Sequence, residues 1–264
     1  MKKTNFKKIV MKKLNILIFT LIFLTSTYQL IGQSSGILTY SAALDLKYMQ
    51  QANALNQNID QKTKMFLFDK IINSSPELTF ELKFNDGLSE FKCINLPEKT
   101  AYVDLTVSNT GEKKIYYFDK QNNIKGYKTE TFSEYLVQPE LTEWSMHDEE
   151  KIINGYHCKK ATIESKSYGR SGEIIDEFVV WYTEDIPLEF GIKGFEGLPG
   201  VIVELSCTKN IGNGHYNFIL KSVELNKEFV KIKLPKNELI SEKASQEMFA
   251  KLIRNLRNRK TKAK

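Results

Sequence analysis

The sequence predicts a mainly β (α+β) fold: a curved antiparallel sheet or half-barrel, with a helix after the first strand and an amphipathic C-terminal helix. Three observations carry this prediction. Short runs in which apolar and polar residues alternate are separated by Gly, Asn or Asp clusters. Asn85-Asp86-Gly87 stands between two such runs as a hairpin turn, because all three residues tolerate positive φ. The last segment instead places its apolar residues at helical spacing.

The elements follow in order. Ile37 to Leu46 is rich in β-formers and reads as the first strand. Met49 to Asn73 is rich in Gln, Asn and Lys, with Leu55, Ile59, Phe66 and Ile71 at loosely helical spacing. It reads as a loop with one or two helical turns, ended by Ser74-Ser75-Pro76. Leu78, Phe80, Leu82 and Phe84 then alternate with Thr79, Glu81 and Lys83, which turns one apolar face inward. After the turn the chain returns over Leu88 to Ile94. Further strands are expected at 101–107, 114–118, 126–131, 163–167, 174–183, 201–207, 215–223 and 230–234, which implies an antiparallel meander. Ala244, Met248, Phe249, Leu252, Ile253 and Leu256 form the stripe of the C-terminal helix, with Ser241 as its N-cap. That stripe is expected to dock on the sheet, and the basic residues from Lys251 to Lys264 complement the helix dipole.

With 264 residues and 41% hydrophobic content the chain can bury a substantial core, and one domain is expected. The formal net charge is +6, but the first 33 residues hold six lysines and no acid, leaving 32 basic against 32 acidic residues. A nucleic-acid binder needs a basic surface to displace counterions from phosphates, so nucleic acid is not an expected partner. The leader runs from a basic stretch, Lys2 to Lys13, through a short apolar core, Leu14 to Leu24, to a polar run ending at Gln33. This order is that of a cleavable secretory signal peptide, and the core is too short to span a bilayer. Residues 1–33 are the expected signal peptide, cut after Gly32, and 34–264 a single β-rich domain; Met11 is an alternative start. No Cys follows the apolar core, so a lipid anchor is not expected and the protein belongs in the periplasm or the medium. Cys93, Cys158 and Cys207 would there meet oxidising conditions. One disulfide, in any of three pairings, stands beside three buried thiols as their reading.

The segment from Trp181 to Glu204 is the most specific part of the chain. Pro199 fixes its φ at about −65° and Gly200 is read as accepting positive φ, so Leu198-Pro199-Gly200-Val201 suits a type II turn. Gly197 is read as permitting close backbone approach. Val201, Val203 and Leu205 then alternate with Ile202, Glu204 and Ser206; with both faces apolar at its start, this strand is central or covered. Together with Trp144, Ile153 to Ala161, Trp181 to Pro187 and Gly197 to Gly200, these residues resemble the signature of the GLPGLI family. Val201 replaces the usual Leu, and Gly191-Ile192 stands where Gly-Pro is frequent. Leu82 to Phe91 matches more loosely. The resemblance implies an exported bacterial protein and points to no particular activity.

Two readings of this segment compete. Turn chemistry alone explains each residue type, which makes the motif a tightly specified loop entering a core strand. Alternatively Trp181, Tyr182, Phe190 and Phe195, with Glu184, Asp185, Glu196, Gly197, Leu198, Pro199, Gly200 and Glu204, form the wall of a binding surface. Catalytic patterns are weak. There is no Gly-x-Ser-x-Gly or Cys-x-x-Cys, and His147, His157 and His215 are isolated. His157 and Cys158 are adjacent, but neighbours on a strand point to opposite faces. Glu149-Glu150 before Lys151 reads as a solvated hairpin tip. No catalytic residue, cofactor or metal is expected. The reading is therefore a non-enzymatic exported module that binds a ligand or a partner. Its half-open sheet resembles bacterial lipoprotein carriers, which implies a hydrophobic small molecule. The alternatives are an accessory protein of an outer-membrane complex, docked by its basic helix, and, last, an enzyme using carboxylates near the GLPG turn.

Overall fold

A computed structural model describes residues 35–44, 77–96, 113–169, 172–208, 215–228 and 230–262. All of them lie in one compact unit, Ser35–Lys264. The strands are β1 (Ser35–Leu44), β2 (Leu78–Asn85), β3 (Leu88–Cys93), β4 (Ile115–Asp119), β5 (Ile124–Lys128), β6 (Tyr135–Gln138), β7 (Glu140–Leu141), β8 (Ser145–Ile153), β9 (Tyr156–Gly169), β10 (Gly172–Thr183), β11 (Val201–Thr208), β12 (His215–Leu225) and β13 (Glu238–Ser241). One helix, α1 (Glu242–Lys262), follows. The helical turns expected within Met49–Asn73 and the strand expected at 101–107 lie outside the described residues.

Two meanders make up the sheet. One runs β1 to β6, the other β9 to β12, and they join where β1 pairs antiparallel with β12. The full order is β13-β6-β5-β4-β3-β2-β1-β12-β11-β10-β9-β7, with β8 also on β9. β6 and β7 lie near opposite ends of this order, yet Pro139 alone separates them in the chain. The sheet must therefore curl until its ends meet, because one residue spans only about 3.5 Å. Pro139 is the corner of this seam: its ring leaves no N–H to pair, which suits a point where the chain leaves one ladder for another.

The inner face is built by the expected alternation. Leu38, Tyr40 and Ala42 on β1 and Leu78, Phe80, Leu82 and Phe84 on β2 are buried, with Phe91, Phe178, Val180, Leu205 and Phe218 from other strands. Phe80 stacks on Phe91 at 5.2 Å and meets Phe218 edge-on at 5.0 Å. The Asn85-Asp86-Gly87 turn forms as expected, with Asp86 and Gly87 at positive φ.

Four expectations need correction. Val230 to Leu234 is not a strand: no neighbour offers a ladder, and the Val230 carbonyl instead accepts a hydrogen bond from Asn85 Nδ2 (2.8 Å). Glu149 and Glu150 lie within β8, a strand that alternation could not reveal because its residues are mostly exposed on both faces. The hairpin tip is instead Asn154-Gly155, both at positive φ. β6, β7 and β13 are likewise short and set by tertiary pairing, β13 running parallel to β6. Finally, α1 docks by its start and, less deeply, by the half-buried Met248 and Ile253. Ser241 Oγ caps it by accepting the Ala244 N–H (3.1 Å), and Glu242 and Ser245 are buried, but Phe249 and Leu252 are exposed.

Candidate functional site

The connection from β10 to β11, residues 184–200, has no regular structure but turns into the curl of the sheet and fills it. Ile186, Leu188, Ile192, Phe195 and Leu198 are buried. Phe190 stacks on Phe84 at 5.2 Å, and Phe195 packs on Phe178 at 4.6 Å and edge-on against Trp144. Trp144 Nε1–H donates to the Glu196 carbonyl (3.0 Å), which ties the segment to the residue just before β8. Tyr182, on β10, is buried beneath. The structural reading of the motif therefore holds for these residues: they are a plug.

Its glycines work differently from the sequence reading. Gly197 is the one at positive φ (99°), whereas Gly200 is not. Gly200 is required by space: a Cβ there would collide with the Thr183 carbonyl, where β10 and β11 begin to pair. The type II assignment assumed Gly200 supplied the left-handed residue; the tight base of the loop asks it instead for the absence of a side chain. Gly191 is closed in similarly by the Phe195 backbone.

The supposed aromatic wall is divided between two faces. Trp181 points outward, with the Lys151 Nζ 4.2 Å from its ring centroid and 3.1 Å from a Glu204 carboxylate oxygen. Lys151 belongs to β8, and Asn154 Nδ2 at the tip donates to the Leu220 carbonyl of β12 (3.3 Å). The hairpin thus reaches across the outside of β10 to β12. This explains why Ile202 and Val203, on opposite faces of β11, are both buried. Glu184 and Asp185 are exposed at the mouth of the plug, as is Pro199. Cys93, Cys158 and Cys207 are unbridged. Cys158 and Cys207 sit on strands either side of β10, opposite Thr183 and Phe178, an offset of five residues that puts them roughly 20 Å apart, beyond the reach of a disulfide, and Cys93 lies on β3, with β2, β1 and β12 between it and β11.

The plug carries one residue that does not belong in a core. Ile192-Lys193-Gly194-Phe195 is a turn closed by Phe195 N–H on the Ile192 carbonyl (3.0 Å), with φ of 57° at Lys193 and 84° at Gly194. Lys193 is buried, its Nζ 5.0 Å from the Tyr216 ring centroid, 5.3 Å from Phe218 and 6.0 Å from Tyr116. It faces a cavity of about 150 Å³ at the seam. Lys114, Lys166, Asp176, Glu242, Ser165, Ser167 and the phenols of Tyr116, Tyr127 and Tyr216 share the lining. Tyr127 O–H donates to Glu242 Oε2 (2.5 Å), and Lys114 Nζ lies 3.7 Å from the Tyr127 ring centroid. Burial, and for Tyr127 the charge of Glu242, push the Tyr127 and Tyr216 phenols well above their ordinary range. A second depression, of about 380 Å³, shares Pro139, Leu141 and Lys166 with this cavity.

Phe195 also lines the cavity and was singled out in the sequence; the other residues named here were not. The legible signal was a lysine before glycine inside an apolar run, Ile192 to Phe195. Glu196, next in the chain, has its Oε2 buried without a hydrogen-bond partner, and burial raises its carboxyl to about 7. Among the described residues no group of His, Cys, Asp and Glu could hold a metal ion, and no helix is long and apolar enough to cross a membrane.

No family model and no curated protein matches the chain. Three solved structures are similar in outline. PNGF-II is 15% identical with a TM-score of 0.41, over 81% of this chain and 33% of its own, so the chain spans about a third of that protein's length. A putative outer membrane lipoprotein-sorting protein domain from Vibrio parahaemolyticus is 9% identical with a TM-score of 0.26, over 76% of this chain and 89% of its own. A DUF1329 family protein from Desulfovibrio piger is 6% identical with a TM-score of 0.22, over 79% and 91%.

Proposed function

We propose that the chain is an exported cell-envelope protein of the GLPGLI type that binds a ligand without transforming it, and that a small anion seats in the seam cavity. Lys193 carries this reading. A lysine fixed in the left-handed region by a plug, over three rings and facing a cavity, is a strained arrangement of the kind found at binding sites. Lys114 and Lys166 bring two further amines to the same lining, against the carboxylates of Asp176 and Glu242, and Glu242 already receives the Tyr127 hydroxyl. The raised phenols stay protonated, and the Tyr127 proton is held by Glu242. A general acid or base works best near the operating pH, which favours binding over catalysis for these tyrosines; Glu196, which does reach that range, is not part of the lining.

At about 150 Å³ the cavity has room for about five waters, or a molecule of that size. A hydrophobic ligand asks for some 300 Å³ or more of mainly apolar space and would have to seat elsewhere. The test is thermal unfolding with millimolar mono- and dicarboxylates and inorganic phosphate. At least one is expected to raise Tm, and Lys193→Met, which keeps the stem over the rings, is expected to abolish the shift. A Tm that no anion moves overturns the reading, and a rise with a fatty acid instead would favour the hydrophobic ligand.

A further inference from the structure

The seam cavity carries charges of both signs, brought to it by different elements. Lys193 of the plug and Lys114 just before β4 supply amines, while Asp176 on β10 and Glu242 at the start of α1 supply carboxylates. Asp176 stands in a row across three strands: it lies opposite Ser165 on β9, which in turn lies opposite Leu141 on β7. Directly paired residues share a face, and all three line the cavity, as does Ser167 two places along β9. This wall offers acceptors. Tyr216 links the two signs, since the Lys193 Nζ lies 5.0 Å from its ring centroid and the Asp176 carboxylate is near enough to add, after burial, to the upward shift of its phenol.

Building on the anion reading of this cavity, we infer that its ligand is a free α-amino acid, held with its carboxylate at Lys193 and its ammonium at Asp176. A simple anion would answer the amines but meet Asp176 and Glu242 with like charge, whereas a zwitterion answers both signs. Glu242 already accepts from the Tyr127 hydroxyl and the Gln246 amide, so Asp176 is the carboxylate assigned to the ammonium. An ammonium has three donors and a carboxylate about four acceptor positions, so contacts among the lining groups leave positions for a ligand. A peptide carries its terminal charges at opposite ends; an α-amino acid has both on one carbon. The cavity of about 150 Å³ admits that part of the molecule, and the depression of about 380 Å³ beyond Pro139 and Leu141 gives a side chain room.

The experiment is isothermal titration of the purified protein at neutral pH with alanine, propionate and alaninamide, of which the second lacks the amine and the third the carboxylate. Alanine is expected to bind about tenfold more tightly than propionate, the worth of one charge-assisted hydrogen bond, and alaninamide not measurably. Asp176→Asn should bring alanine down to the affinity of propionate, and Lys193→Met should abolish the binding of both. Propionate binding as tightly as alanine overturns the amino-acid assignment and leaves the anion reading standing, as does binding of phosphate or a dicarboxylate with neither of them. Alaninamide binding as well as alanine, or no binding of any anion, overturns both. An Asp176→Asn protein that keeps the full preference for alanine also overturns the assignment. Because the three ligands are compared on the unaltered protein, the outcome does not depend on either variant folding.

Discussion

Residues 184–200 and helix α1 invert the usual association of regular structure with burial. The plug has no helix or strand and is largely buried; the helix is fully regular and, among its described side chains past the second turn, largely exposed. Backbone hydrogen bonding accounts for the difference. A helix satisfies its own N–H and C=O groups and can stand in water, whereas an irregular segment inside a protein needs a partner for each buried group. The plug finds some of them in short turns, Leu188 N–H on Ile186 and Phe195 N–H on Ile192, and another in the indole of Trp144. Its specificity thus lies in particular contacts, while that of the helix lies in a pattern.

Substitutions should expose this contrast. Phe195→Ala removes a ring wedged between Phe178 and Trp144 and is expected to cost about 3–5 kcal/mol, while Phe249→Ala in the helix should change stability by less than about 0.5 kcal/mol. Urea midpoints measure both, and similar losses would mean that the helix stripe is packed after all.

Next comes the base of the plug. Gly200→Ala places a methyl against the Thr183 backbone and should cost about 3 kcal/mol, whereas Gly197→Ala meets only the edge of Trp144 and should cost about 1 kcal/mol for its positive φ. The reverse order would restore the type II turn.

The smallest effect is one of pH. The Glu196 carboxyl rises from its ordinary 4.5 to about 7 through burial, so between these values the folded chain holds a proton that the unfolded chain has released. Its contribution therefore falls as pH rises from about 4.5 to 7 and is flat outside that window. The drop should be about 1–2 kcal/mol after allowance for partial exposure, and Glu196→Gln should remove it. Parallel stability–pH curves for the two proteins would show the carboxyl to be solvated.

Much of the sheet was legible because its strands have one buried face: β2 alternates without a break, and the Asn85-Asp86-Gly87 turn needs only local chemistry. β8 was not, because an edge strand exposed on both sides writes no alternation. The double-sided apolar start of β11 correctly announced a covered strand, although what covers it, a hairpin tip from β8 and β9, lies some fifty residues away in sequence.

The sequence by itself determined the β-rich class, the alternation of the inner strands, the turns that demand positive φ at Asp86 and Gly87, and the capped helix beginning after Ser241, since each depends on neighbours within a few residues. Tertiary structure alone decided the closure of the sheet at Pro139, the inward course of residues 184–200 and the meeting of Lys193 with Tyr116, Tyr127, Tyr216, Asp176 and Glu242. Those groups come from β4, β5, β12, β10 and α1. No local rule could assemble them, because their proximity is set by which strand ends meet when a long curled sheet closes on itself.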